Sequence, residues 1–85
     1  MRRDENVATE SLHVAAALAA AGFRLSAVEG APPHRARFVF RREEGIEQAI
    51  EDFWSDGLRL PARQVLLALK TCKDRLYEEG RMRQP

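Results

Sequence analysis

Phe53-Trp54-Ser55-Asp56-Gly57-Leu58-Arg59-Leu60-Pro61-Ala62-Arg63 sets a helix stop, an extended link and a helix start side by side. Before it, Ile46, Ala49, Ile50 and Phe53 recur at the spacing of one helical face. Gly57 lacks a Cβ and suits the left-handed backbone that ends many helices. Leu58-Arg59-Leu60 reads as a short extended link. Pro61 has the fixed φ and missing N–H that suit a first helical turn. The stretch is therefore a corner between a helix over 44–56 and another over 61–79. Trp54, the single tryptophan, is expected to plug the junction, because large aromatics at helix ends mostly pack. The competing reading is a binding platform.

Beyond the corner, the third helix shows an apolar face of Ala62, Val65, Leu66, Leu69, Cys72 and Leu76, with Gly80 as its stop. Before the corner lie two alternating runs. Phe23 to Ala27 and Ala36 to Arg41 have the period of half-buried strands. Gly30-Ala31-Pro32-Pro33-His34 joins them as a turn, since prolines cannot continue a paired ladder. Phe38 and Phe40 share one face of the second strand, while Arg37, Val39 and Arg41 share the other. A first helix over 9–21 carries Leu12, Ala15, Ala16 and Ala19, flanked by Val14 and Leu18. Thr9 or Ser11 caps it, and Gly22 stops it. The expected fold is a single small α+β domain over 9–80, in the order helix-strand-strand-helix-helix. An antiparallel hairpin packs on three helices, and residues 1–8 and 81–85 are flexible ends.

Composition narrows the function. The chain has 85 residues with 45% hydrophobic and 32% charged side chains, the make-up of one globular domain with a thin core. The lone Cys72 permits no internal disulfide and belongs to no zinc-type cysteine cluster. It reads as a small core residue, and a reducing, cytoplasmic setting fits it. No apolar run has the length of a membrane span. His13 and His34 form no metal-binding pattern, and Glu47 and Glu51 share one helix face without a facing cleft. No phosphate-binding loop or nucleophile motif occurs. The expectation is a protein that is not an enzyme and uses no metal or cofactor.

The best binding candidates are arginines. Formal net charge is only +1, but Arg35, Arg37, Arg41 and Arg42 crowd the second strand, and Arg59 and Arg63 flank the corner. Guanidinium groups on a β-ribbon suit phosphates and base edges. The plainer reading is a solvated face neutralised by Glu29, Glu43 and Glu44. The segment 37–76 also has the order of a ribbon-helix-helix repressor, which would send Arg37, Val39 and Arg41 outward from a strand shared between two copies. An intrachain partner at 23–27 competes for that strand, so ribbon and hairpin coexist only on different edges.

The ordered set of Ala20-Ala21-Gly22-Phe23, Phe38-Val39-Phe40, Phe53-Trp54, Gly57-Leu58-Arg59-Leu60, Ala62-Arg63, Leu69-Lys70 and Lys73-Asp74-Arg75-Leu76-Tyr77 resembles a small domain-of-unknown-function family met in bacteria, phages and mobile elements. The resemblance spans about Thr9 to Tyr77 and brings no activity or binding residues with it. Pro61 departs from it, standing where that family tends to carry a capping Asp, Asn or Ser. Two functional classes follow. The leading expectation is a nucleic-acid-associated accessory or regulatory protein using Arg35, Arg37, Arg41, Arg42, Arg59 and Arg63. The alternative is a protein-interaction module or homodimeric adaptor with no nucleic-acid binding, its open hairpin edge inviting a second copy.

Overall fold

The computed structural model describes residues 5–30 and 36–82. Six elements follow one another: β1 (Asn6–Thr9), α1 (Leu12–Ala20), β2 (Leu25–Glu29), β3 (Arg37–Arg41), α2 (Ile46–Trp54) and α3 (Ala62–Met82). The expected helices and hairpin strands are all present. The connection predicted over 31–34 lies outside the described residues.

One element was not expected. Asn6–Thr9, within the stretch read largely as a flexible end, is a strand, and it pairs antiparallel with β3. The sheet order is β1-β3-β2, with β3 in the centre. Val7 lies opposite Phe40 and half-buried against the core, while Ala8 lies opposite Val39 on the other face. Beyond the strand, the Arg42 N–H donates to the Glu5 carbonyl at 2.8 Å. With both ladders of β3 occupied, the shared-strand ribbon is excluded for β3. Among the described residues, the outer edges of β1 and β2 are those left for pairing with another chain.

The helices cover one face of the sheet. Phe38 and Phe40 point into that side with Val28 and meet Val14, Ala15 and Leu18 of α1, Ile46 and Ala49 of α2, and Cys72 of α3. Each large side chain fully buried there contributes roughly 1.5–3 kcal/mol. α1 is the most enclosed helix, buried continuously from Val14 to Leu18. Its alanines let α3 approach closely without a protruding side chain. Ser11 caps α1, accepting the Val14 N–H at 3.1 Å, while Thr9 Oγ1 accepts the Ser11 N–H. At the other end the Phe23 N–H reaches the Leu18 carbonyl and the Gly22 N–H that of Ala19, with Gly22 at φ 108°. This is a Schellman stop with glycine where the left-handed residue belongs.

The corner and the helix that follows it depart from expectation in several places. The left-handed residue after α2 is Asp56, at φ 64°, and not Gly57. Trp54 does not plug the junction: it is 67% exposed and touches Phe53 edge-on, with ring centroids 5.0 Å apart. Phe53, Leu58, Leu60 and Val65 line the junction instead, together with Ala17. Leu66, expected inward on α3, is 65% exposed, and Ala62 is also outside. The buried or half-buried face of α3 is Val65, Ala68, Leu69, Cys72 and Leu76. Gly80 does not end α3, which continues to Met82.

Candidate binding surfaces

The outer face of the sheet follows from strand alternation. With Phe38 and Phe40 inward, Arg37, Val39 and Arg41 face outward along β3. Val39 is flanked by Ala8 and Ala27 from the two neighbouring strands and is buried between them. Arg37 and Arg41 at either end of the strand are exposed. Arg37 comes within 3.9 Å of Glu29, itself exposed, so this pair contributes little. Pairing of β2 slips between Leu25 and Ala27, which leaves Ser26 as an irregularity beside the end of β3. Ser26, Arg41, Arg42, Glu5 and Asn6 border an open hollow of about 440 Å³.

The sequence-predicted arginines are only partly brought together. Arg37 and Arg41 share the outer face, and Arg42 follows directly but its side chain is engaged by Glu47 of α2. Arg35 lies outside the described residues. Arg59 stands exposed on the link, and Arg63 is exposed in the first turn of α3, on elements other than the sheet.

Helices α2 and α3 form a second kind of surface, of which the sequence showed Trp54 and the shared face of Glu47 and Glu51 but not the side contributed by α3. Along α2, Glu47, Glu51 and Trp54 are exposed at the i, i+4, i+7 spacing of one face. Glu43 and Glu44 precede them, beside an open hollow of about 580 Å³. Along α3, Leu66, Lys70, Lys73 and Tyr77 continue the same spacing. Leu66 is 65% exposed and Tyr77 57%. With Leu69 and Asp74 they line a shallow groove of about 310 Å³. Lys70 pairs with Asp74 at 3.0 Å on its own helix. Leu67 is also exposed, on a neighbouring side of α3.

Cys72 is 1% exposed, as its core assignment requires. Burial pushes its thiol pKa up, and nearby Arg75 offsets part of the rise. His13 is exposed on α1, and His34 lies outside the described residues. No group of His, Cys, Asp and Glu among the described residues is placed to hold a metal. No helix there is long and apolar enough to cross a membrane.

Fold and surfaces together define a small two-layer α+β domain: a three-stranded antiparallel sheet with helices on one face and, among the described residues, no element on its arginine-ended second face. The chain belongs to the family described as domain of unknown function DUF5659, which matches over residues 4–78. That span takes in β1, so the added strand falls within the family's unit. No curated protein and no solved structure matches the chain.

Proposed function

We propose that this domain is a protein-interaction module that acts by binding and not by catalysis. The observation that supports this best is the exposure of Trp54, Leu66 and Tyr77 on α2 and α3. A thin-cored domain gains most from burying its largest apolar side chains, yet alanines fill much of its interior. Singly exposed apolar residues are ordinary. Here Leu66 and Tyr77 line one groove, and tryptophan and tyrosine are the residues enriched at the energetic centres of interfaces. The lone buried Cys72 suits a reducing compartment such as the cytoplasm. The test is affinity capture followed by mass spectrometry, comparing the wild type with Leu66→Gln/Tyr77→Ser after both show the same unfolding midpoint. Loss of the same captured protein supports the reading. Identical capture by both proteins overturns it, as does a wild type that captures nothing and stays monomeric in solution.

A second reading, nucleic-acid association, rests on a separate observation. Arg37 and Arg41 stand on the open sheet face, about 13 Å apart along the strand at roughly 3.3 Å per residue. That span matches the roughly 12 Å width of the DNA major groove, so the pair suits phosphates on its two sides. Two exposed arginines and a formal net charge of +1 make a small electrostatic footprint. It therefore stands behind the interaction reading.

A further inference from the structure

Two exposed stripes of this chain match one another in spacing and in charge. On α2, going backward, Trp54 is followed by Glu51 and Glu47; on α3, going forward, Leu66 is followed by Lys70 and Lys73. At about 1.5 Å rise per residue, Glu51 and Glu47 lie roughly 4.5 and 10.5 Å from Trp54. Lys70 and Lys73 lie roughly 6 and 10.5 Å from Leu66 on the same scale. Laid antiparallel, the stripes put Trp54 on Leu66 and Leu69, Glu51 beside Lys70, and Glu47 beside Lys73. A parallel arrangement in that register sets Trp54 against Lys73 and Glu47 against Leu66, leaving one charge pair. One turn along, it sets Trp54 on Tyr77 and Glu47 beside Lys70, but brings Glu51 level with the carboxylate of Asp74.

We propose that the α3 groove binds α2 of a second copy of this chain, antiparallel, with Trp54 as the apolar anchor and Glu47 and Glu51 facing Lys73 and Lys70. This rests on the interaction reading and names its partner. Competition from within the chain is weak. Glu47 is engaged by Arg42 and Lys70 by Asp74; the Glu47, Lys70 and Asp74 side chains are well exposed, and that of Arg42 is 35% exposed. Exposed pairs contribute about 0–1 kcal/mol each, so exchanging them costs little. A contact built on a helix as short as α2 sits at the low end of interface sizes, which implies a weak, concentration-dependent assembly. The contact joins two different patches. A twofold arrangement uses it twice and closes at the dimer, while an open arrangement grows a chain of copies.

Sedimentation velocity from about 5 to 500 µM, at low and moderate salt, reads the assembly. The expected result is a mass that rises with concentration and falls with salt. Lys70→Glu/Lys73→Glu is expected to be monomeric alone, as is Glu47→Lys/Glu51→Lys. Mixing the two variants should restore a species larger than monomer, because each supplies the charge the other now needs. Trp54→Ala should weaken assembly at least tenfold without lowering the unfolding midpoint. Wild type that stays monomeric throughout overturns the inference, as does assembly unaffected by either charge reversal. In both cases the capture comparison decides separately whether the interaction reading stands with a different partner.

Discussion

The Gly57 N–H donates to the Asp52 carbonyl at 2.8 Å, and the turn it closes places Asp56, not the glycine, in left-handed backbone. The Asp56 N–H reaches the Phe53 carbonyl at 3.3 Å in the same turn. This is the hydrogen-bond pattern that ends α1, where Gly22 fills the left-handed position. At the end of α2 the glycine stands one residue too late.

Asp56→Gly is therefore expected to stabilise the domain by about 0.5–1 kcal/mol, removing the left-handed penalty at the cost of some chain entropy. Gly57→Ala is also expected to be tolerated. A Cβ at Gly57 would meet Ser55 Oγ at 3.6 Å and the Asp52 carbonyl oxygen at 3.9 Å, ordinary contacts. Its lower unfolded-state entropy should add about 0.4–1 kcal/mol. Gly22→Ala, at φ 108°, should instead lose about 1–2 kcal/mol. Urea midpoints of the three variants check this, and a clear loss in Gly57→Ala would return the stop to Gly57.

Helix positions were legible because local signals agreed: Ser11 before an apolar period, Gly22 after it, Pro61 just outside α3. The facing of α3 was not, because Val65 to Leu69 is continuously apolar and a continuous run has no period to choose a side. Packing against α1 selects Val65, Ala68 and Leu69 and turns Leu66 outward. Trp54 was misplaced by residue type. Its helical position, one step round from Phe53, already set it off the Ile46-Ala49-Ile50-Phe53 face. β1 gave too short a signal, with Val7 its one large apolar side chain against the sheet's inner face. Pairing with β3, far along the sequence, makes it a strand. Of the predicted site, the shared outward face of Arg37 and Arg41 followed from alternation alone. On α2 the shared face of Glu47 and Glu51 was legible from spacing; the stripe on α3 was not, because Leu66 reads as core.

β1 is an edge of the sheet with one face inward, so its two faces must respond differently to substitution. Val7 packs half-buried against the core, whereas Ala8 faces outward and is exposed. Val7→Lys should destabilise by about 2 kcal/mol, through lost apolar burial and a charge held near the core. Ala8→Thr should stay within about 0.5 kcal/mol, as an outward strand position accepting a β-branched residue. Thermal unfolding monitored by circular dichroism compares them. Equal midpoints for Val7→Lys and wild type would return β1 to a loosely attached end.

Cys72 gives the domain a pH dependence of known sign. Burial raises the thiol pKa in the folded state, with Arg75 opposing part of the shift. The folded protein therefore holds its proton where the unfolded chain, with a thiol pKa near 8.5, releases it. The thiol's contribution is fully present below about pH 8.5 and is lost as pH rises through the higher folded value. Stability of the wild type should fall above about pH 8.5 more steeply than that of Cys72→Ala, in which other titrations remain. Denaturant midpoints across that range measure the difference, and parallel curves would contradict a raised thiol. Cys72→Ser should be the less stable substitution, by about 1–3 kcal/mol, because its hydroxyl is buried among apolar neighbours.

The outer sheet face tests the nucleic-acid reading against the interaction reading. Each phosphate neutralised on B-DNA contributes about −0.9 to the slope of log affinity against log salt. A site made by Arg37 and Arg41 alone predicts a slope near −2, and one that adds Arg59 and Arg63 predicts a value near −4. Fluorescence anisotropy with a labelled duplex and a labelled single strand, from about 20 to 200 mM salt, distinguishes them. Arg37→Glu/Arg41→Glu should abolish binding. Arg59→Ala/Arg63→Ala should leave it intact if the sheet face is the whole site. The outward side chains between the two arginines are aliphatic, Val39 with Ala8 and Ala27 beside it. They provide no aromatic platform for stacking bases. Any binding should therefore show no preference for single strands, and a strong one would place the contact elsewhere. Absence of binding to both probes at the lowest salt would remove nucleic acid as the partner and leave the exposed faces of α2 and α3 as the working surface.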